Sequence, residues 1–400
     1  MIKLEQKLRN VIAIAICLAV ISVFTGCEKD SKNNDDNNDP YVPGDGSASK
    51  PFLVANVADL KRIGTGEESQ EGLWKRDKHY RQIANINLSG ENTWTPIPVS
   101  YSFDGKYDGG GFTISNLHDV IGDGNNSGKG LFGTVSGAVT NVRLIGVDIT
   151  GYMTIGGIAA SVGNGGTIEH CFVDVINIEG DMHVGGITGG VSNGGKVRSC
   201  IVVGKSVIAN SNQLGIVGGV AGVNNGMIQN CYTTVDVTST YRTAGGIVGS
   251  NGSGTVQYCY ATGNILATGA EDGGIAGRNN KGTVKNCVAL NREIERSNSP
   301  SNPAAPYVGR ISSSDEGTLS NNYAREDMLL IANSISLPVS ETSVTGNNGA
   351  DVSFDDYAGA NSNNWWSSTA KFPTSEWSFD KNRLPWLKGF DGLTQNPNVN

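Results

Sequence analysis

One short segment recurs along the chain. Gly166-Thr-Ile-Glu-His-Cys171 returns as Gly195-Lys-Val-Arg-Ser-Cys200, Gly226-Met-Ile-Gln-Asn-Cys231, Gly254-Thr-Val-Gln-Tyr-Cys259 and Gly282-Thr-Val-Lys-Asn-Cys287. Looser copies flank it at Phe112–Leu117, Gly137–Val142 and Gly317–Asn322. The closing position of each copy defines one slot, at 117, 142, 171, 200, 231, 259, 287 and 322, with intervals of 25, 29, 29, 31, 28, 28 and 35 residues. The Pro-rich insert Ser299–Pro306 stretches the last interval. A second element precedes each strong copy: Gly156-Gly-Ile-Ala, Gly185-Gly-Ile-Thr, Gly218-Gly-Val-Ala-Gly222, Gly245-Gly-Ile-Val-Gly249 and Gly273-Gly-Ile-Ala-Gly277. Gly130-Leu-Phe-Gly133 takes the same place in the first unit.

Within a unit the apolar residues alternate, as in Val139, Val142, Leu144, Val147 and Ile149. Alternation broken by glycine means short strands and tight turns, not helices. A unit this short cannot bury its inner face alone, but stacked on its neighbour it can. The expected fold is therefore all-β: a parallel β-solenoid of about eight coils, with equivalent strands about 4.8 Å apart and a rod on the order of 40 Å long. Glycine makes up 55 of the 400 residues, about twice its usual share, which disfavours helices. The paired glycines fit corners that need positive φ or close backbone approach.

The ends break the pattern. Residues 51–110 carry a helix signal, with Asn56 as N-cap and Asp59 at the third helical position, and read as an N-terminal cap with the first strands. Residues 111–322 are the solenoid. Residues 323–400 lose the repeat, hold four of the six tryptophans, and read as a C-terminal cap.

Lys3, Lys7 and Arg9 precede an apolar run from Val11 to Phe24 that closes in Thr25-Gly26-Cys27. Such a run suits a signal-peptide core better than a membrane span. Residues 1–26 thus read as a signal peptide. Cysteine directly after it, with Gly26 before it, resembles the lipobox of bacterial lipoproteins, with Phe24 where Leu is usual. Cys27 would carry the lipid and hold the protein on the outer membrane, facing outward. Residues 27–50 begin with a polar, acidic stretch that reads as a tether. The formal charge is −8, and removal of residues 1–26 (three cations, one anion) takes it to −10, leaving no electrostatic footprint for nucleic acid.

The recurring Gly-Gly-Ile-x-Gly followed by Gly-Thr-Val-x-Asn-Cys resembles the GLUG-motif repeat. The segment Phe103–Gly111 and the closing Trp377-Ser-Phe379…Leu384-Pro-Trp-Leu387 are similar to flanking segments of gut Bacteroidetes lipoproteins carrying that repeat. The resemblance spans roughly residues 51–390. It implies a surface-displayed, adhesin-like protein. The motif also occurs beside IgA-specific metallopeptidase domains, but His79, His118, His170 and His183 form no H-E-x-x-H here.

Candidate chemistry is sparse. Cys171, Cys200, Cys231, Cys259 and Cys287 form a linear ladder, whereas a zinc site needs converging ligands. Leu117, Val142 and Asn322 take the same slot, so these cysteines read as buried free thiols. Gly128–Gly133 matches G-x-G-x-x-G and Gly190–Gly194 matches G-x-S-x-G, but neither has a helix signal after it. Asp123–Thr134 begins like a calcium loop and lacks the closing Glu. No cofactor is expected.

The carboxylates do not stack: Asp148, Asp174 and Asp236 stand six, three and five positions after their slots. Two before the slot stand Ser115, Thr140, Glu169, Arg198, Gln229, Gln257, Lys285 and Ser320, making Glu169 and Arg198 ladder neighbours. Trp365, Trp366, Trp377 and Trp386 could stack on sugar faces or plug the last coil, and the plug is preferred. Tyr232, Tyr241, Tyr258 and Tyr260 could add exposed aromatic surface. The expected role is binding or adhesion to a glycan or host protein, without catalysis. The competing reading is a β-helix polysaccharide lyase or glycoside hydrolase.

Overall fold

A computed structural model describes residues 44–66, 73–99, 101–119, 128–211, 214–269, 271–297, 308–314, 316–395 and 397. The signal peptide, Cys27, most of the tether, the Asp123 loop and the Ser299–Pro306 insert lie outside these. The described chain is a parallel β-solenoid with three short helices, Val57–Arg62, Phe354–Tyr357 and Ser362–Ser368.

Each coil visits four stacked sheets. One coil runs through Thr154–Gly156, Ala159–Val162, Thr167–Glu169 and Phe172–Gly180, and the next repeats it with His183–Gly185, Thr188–Val191, Lys196–Arg198 and Ile201–Ala209. Their register is one-to-one on the inward positions: Ile155 meets Val184, Ile168 meets Val197, and Val173 meets Val202. The first two positions build six-stranded sheets, the third a ten-stranded sheet, and the fourth a sixteen-stranded one. Coil-to-coil pairing in all four is parallel. Among the described residues, antiparallel pairs occur only near the C-terminus, at Leu329–Ala332 with Ile335–Ser336 on the edge of the widest sheet and at Trp377–Ser378 with Trp386–Leu387, apart from an isolated bridge between Ser343 and Gly349.

The paired glycines are explained by close approach, not by φ. None of Gly156, Gly185, Gly218, Gly245 or Gly273 has positive φ. A Cβ on Gly245 would lie 2.0 Å from Val248 O and 2.5 Å from Gly277 N, and one on Gly246 would lie 2.1 Å from Gly274 O. Backbone of the same coil's turn and of the neighbouring coil fills the space. The left-handed corner sits elsewhere, on the residue before each cysteine slot: Asn141, His170, Ser199, Asn230, Tyr258, Asn286 and Asn321 all have φ between 50° and 56°. Asparagine recurs there because its short polar side chain tolerates that conformation.

One slot departs from the sequence reading. Leu117 is buried but does not occupy the cysteine slot. Thr113–Ser115 pairs with Arg143–Ile145 on the widest sheet, and the true predecessor of Ala138–Thr140 is Lys106–Asp108. Thr-Ile-Ser-Asn imitates the repeat one sheet too late, and the short 25-residue interval is its trace.

The N-terminal region is built into the rod, since Phe52–Val54, His79–Gln82 and Lys106–Asp108 head the ten-stranded sheet. Residues 44–50 also turn against the first coils, where His79 N donates to Gly46 O at 2.9 Å. Beyond residue 322, Tyr323–Arg325 and Ala350–Val352 continue the widest sheet.

The core changes along the rod. Near the N-terminus it is aromatic: Phe52, Trp74, Tyr80, Phe103 and Phe132 follow one another with ring centroids 5.1–6.1 Å apart. The middle is filled by Ile, Val and Cys. At the last coil Arg310 stands in the second glycine's place, after Gly309. Its guanidinium, fully buried, donates to Asn348 O, Arg325 O, Gly349 O and Asp351 Oδ1.

Candidate functional site

The left-handed corner projects one side chain per coil onto the flank of the rod, and the chain's C-terminal segment returns along that row. Asn321 Nδ2 donates to Thr369 O at 3.2 Å. Tyr258 packs edge-on against Phe372 at 6.2 Å. Asn230 Oδ1 accepts from Trp377 Nε1 at 3.3 Å, and Ser199 Oγ donates to Glu376 Oε2 at 3.1 Å. His170 meets Phe390 at 6.2 Å. Beside the row runs an apolar ladder one residue past the slot: Phe172, Ile201, Tyr232, Tyr260 and Val288, all buried. Tyr232 and Tyr260 stack 4.9 Å apart and nearly parallel. The segment therefore covers a flank instead of plugging the last coil.

This settles the aromatic side chains. Trp366 and Trp377 are 1% exposed and Trp365 is 8% exposed, packed among Phe372, Tyr260 and Tyr323. These three hold the strap down and offer no free ring face. Trp386 is half-buried, with Arg383 seated 4.0 Å over its ring. Tyr232 and Tyr260 are buried as well, which corrects the expectation of exposed surface, while Tyr241 is exposed.

Cys171, Cys200, Cys231, Cys259 and Cys287 are buried and free. Each Sγ lies 3.1–3.3 Å from the carbonyl oxygen two residues back. Burial pushes the Cys200 and Cys259 thiols well above their ordinary range. Val142 and Asn322 end this slot, and Asn322 Oδ1 accepts from Cys287 N. Among the described residues no three His, Cys, Asp or Glu side chains converge as a metal site, and no helix is long and apolar enough to cross a membrane.

Glu169 and Arg198 are register neighbours and pair at 3.0 Å, an exposed contact of a few tenths of a kcal/mol. Gln229 and Gln257 bond at 3.0 Å one coil on. Asp148 stands opposite Asn177, Asp174 opposite Ile145 and Val203, and Asp236 opposite Ser206, so none of these carboxylates stacks on another. Neither Gly128–Gly133 nor Gly190–Gly194 opens a helix; both lead into strands and turns. A polar cleft of about 380 Å³ opens where the strap ends, between Arg81, Asp108, Asn141, Arg143, His170 and the turn Gly389–Asp391.

The GLUG motif matches residues 240–266. That stretch contains Gly245-Gly246, the strand Thr255–Gln257 and Cys259, one full set of the corner elements above. This is a β-solenoid that carries a GLUG motif. Halomucin of Haloquadratum walsbyi is 30% identical to it over 164 residues, which is 39% of this chain. The chain spans only 2% of that protein's length. Among solved structures, a Bacteroides ovatus protein provisionally named an immunoglobulin A1 protease superposes with a TM-score of 0.58 at 22% identity, covering 86% of this chain and 94% of that one. The likeness is one of fold.

The solenoid also holds features that the sequence reading missed. Asn224, Asn251 and Asn279 form a buried amide ladder at the corner entering the ten-stranded sheet, with Nδ2–Oδ1 bonds of 2.9 and 2.8 Å. Their recurrence seven or eight residues before the cysteines was the available signal. Asp272 is inward-facing and buried in the row of Ile155, Val184, Val217 and Ala244. Among the described residues neither of its carboxylate oxygens has a hydrogen-bond partner within 3.5 Å, and burial raises its pKa to about 8, with Arg296 opposing. An Asp before a Gly-Gly pair, where other coils carry Ile, Val or Ala, marks it in the sequence.

Proposed function

We propose that this chain is a lipid-anchored, surface-displayed binding protein whose ligand is a glycan or a host or matrix protein. The observation that carries the reading is the outer row of the ten-stranded sheet. Arg81, Asp108, Thr140, Glu169, Arg198, Gln229, Gln257, Lys285 and Ser320 stand in successive register, one hydrogen-bonding side chain per coil. With strands about 4.8 Å apart, such a row matches an extended polymer along the rod better than a compact substrate in a pocket. Cys27 supplies the anchor.

On this reading the chain holds its ligand without cleaving it. Hydrolysis of a glycoside needs two carboxylates about 5–10 Å apart across one bond, and the repeat places Asp148, Asp174 and Asp236 out of line. A screen of residues 40–400 against arrayed glycans and immobilised host and matrix proteins tests the proposal. Retention of a defined ligand is expected, and no retention on any surface would remove it. The anchor has its own test. Cys27→Ala should move the protein from the membrane fraction to the soluble one, and a variant that stays membrane-bound would overturn lipidation.

A further inference from the structure

The cleft at the end of the strap has the chemistry of a ligand site. It spans three successive coils of the ten-stranded sheet, carrying Arg81, Asp108 and Asn141, and the strap's turn Gly389–Asp391 closes it from the other side. Arg81 and the strand holding Thr140 are two strand spacings apart, about 10 Å, the length of one to two sugar rings.

Its charges differ in how far they are already engaged. Asp108 Oδ1 accepts from Gly110 N at 2.9 Å and from Asn141 Nδ2 at 2.9 Å, so that carboxylate fixes the corner. Arg143 Nη2 donates to Asp391 O at 2.7 Å, which holds one edge of its guanidinium and leaves the rest. Arg81 is exposed and makes no side-chain hydrogen bond or ion pair among the described residues. Two guanidinium groups thus line one cleft with spare donors in their planes, the geometry that pairs with carboxylate.

The walls are cut to leave room. Gly111 and Gly389 have φ of 76° and 82°, and a Cβ on them would meet the Arg143 guanidinium at 3.4 Å and the His170 ring at 3.2 Å. A side chain at either position would be strained and would narrow the cleft.

We propose that this cleft binds a carboxylated saccharide. The ligand's carboxylate lies between Arg81 and Arg143, and its hydroxyls meet the second oxygen of Asp108 and the Asp391 carboxylate. The proposal rests on the binding reading above and names the ligand class. The two arginines and two aspartates balance in formal charge, which suits a sugar acid with one anionic group and several hydroxyls better than a densely charged phosphate polymer.

The test uses residues 40–400 with polygalacturonate, alginate and hyaluronan, each beside its carboxyl-reduced form. At least one acidic polymer is expected to bind, at least tenfold more tightly than its reduced counterpart. Arg81→Met, at an exposed side chain that no contact needs, should weaken binding at least fivefold while leaving the thermal midpoint unchanged. Arg81→Lys should restore only part of the affinity. Arg143→Met should weaken binding as well, and comparison with Arg81→Met separates loss of the site from loosening of the strap. Equal binding to acidic and reduced polymers, or full affinity in Arg81→Met, would overturn the site while leaving a binding protein. Failure to hold any of the three acidic polymers would also overturn it; the wider reading falls only if the array and protein screen are blank too.

Discussion

Trp377 donates its indole N–H to the Asn230 side chain at 3.3 Å, joining residues 147 positions apart. Asn230 is a corner residue of the repeat and Trp377 belongs to the strap, so this bond ties the end of the chain to the middle of the rod. The same relation recurs coil by coil, from Asn321 with Thr369 to Arg143 with Asp391. The strap also buries an outward apolar ladder, Phe172 to Val288.

The strap's hold is tested at Trp366, which packs on Tyr260 and Phe372 and donates to Tyr357 O at 2.8 Å. Trp366→Ala should cost about 3–5 kcal/mol in denaturant unfolding. It should also expose residues 353–395 to limited proteolysis before the solenoid is cut. Cleavage of both at the same rate would show that the strap is not a separate layer.

Two glycines should respond in opposite ways. Gly245→Ala forces a Cβ to 2.0 Å from Val248 O and should cost about 3 kcal/mol or more. Gly190→Ala meets nothing within 4 Å and should change stability by no more than about 0.5 kcal/mol. Equal losses at the two sites would refute the close-approach explanation.

The left-handed corner gives a reversed ranking. Asn286 has φ of 53°, so Asn286→Gly should be more stable than Asn286→Ala by about 1 kcal/mol, although both lose the same bond from Asn321. Chemical denaturation of the two variants decides it.

Asp272 predicts a pH dependence. Burial raises its folded pKa to about 8, above an unfolded value of about 3.9. The folded state therefore binds the extra proton, and stability should fall as pH rises from about 4 to about 8, then level off. The span is on the order of 5 kcal/mol, since each unit is worth about 1.4 kcal/mol. Asp272→Asn should flatten the slope, and Asp272→Val, the residue of the coils at Val184 and Val217, should be the more stable protein at pH 9. An unchanged slope in Asp272→Asn would assign it to other groups.

Much of this was legible in the repeat. The cysteine slot, the Asn56 cap with its bond from Asp59 N, and the Glu169–Arg198 pair all follow from local spacing. Register failed at Leu117, where a four-residue imitation of the motif outweighed an interval three residues short of 28. The strap was illegible for a different reason. Its tryptophans announce burial but not against what, because their partners are fixed by contacts such as Trp377 with Asn230 that no local period encodes. The cleft at Arg81 and Arg143 inherits that difficulty, since one of its walls is the strap.

The central claim is binding without cleavage. Its most direct measurement incubates residues 40–400 with whichever polymer or protein they retain, following bound fraction and released fragments in the same sample over hours. The account predicts a stable bound fraction and no new reducing ends or cleaved peptide. Release of product that scales with protein concentration would contradict it.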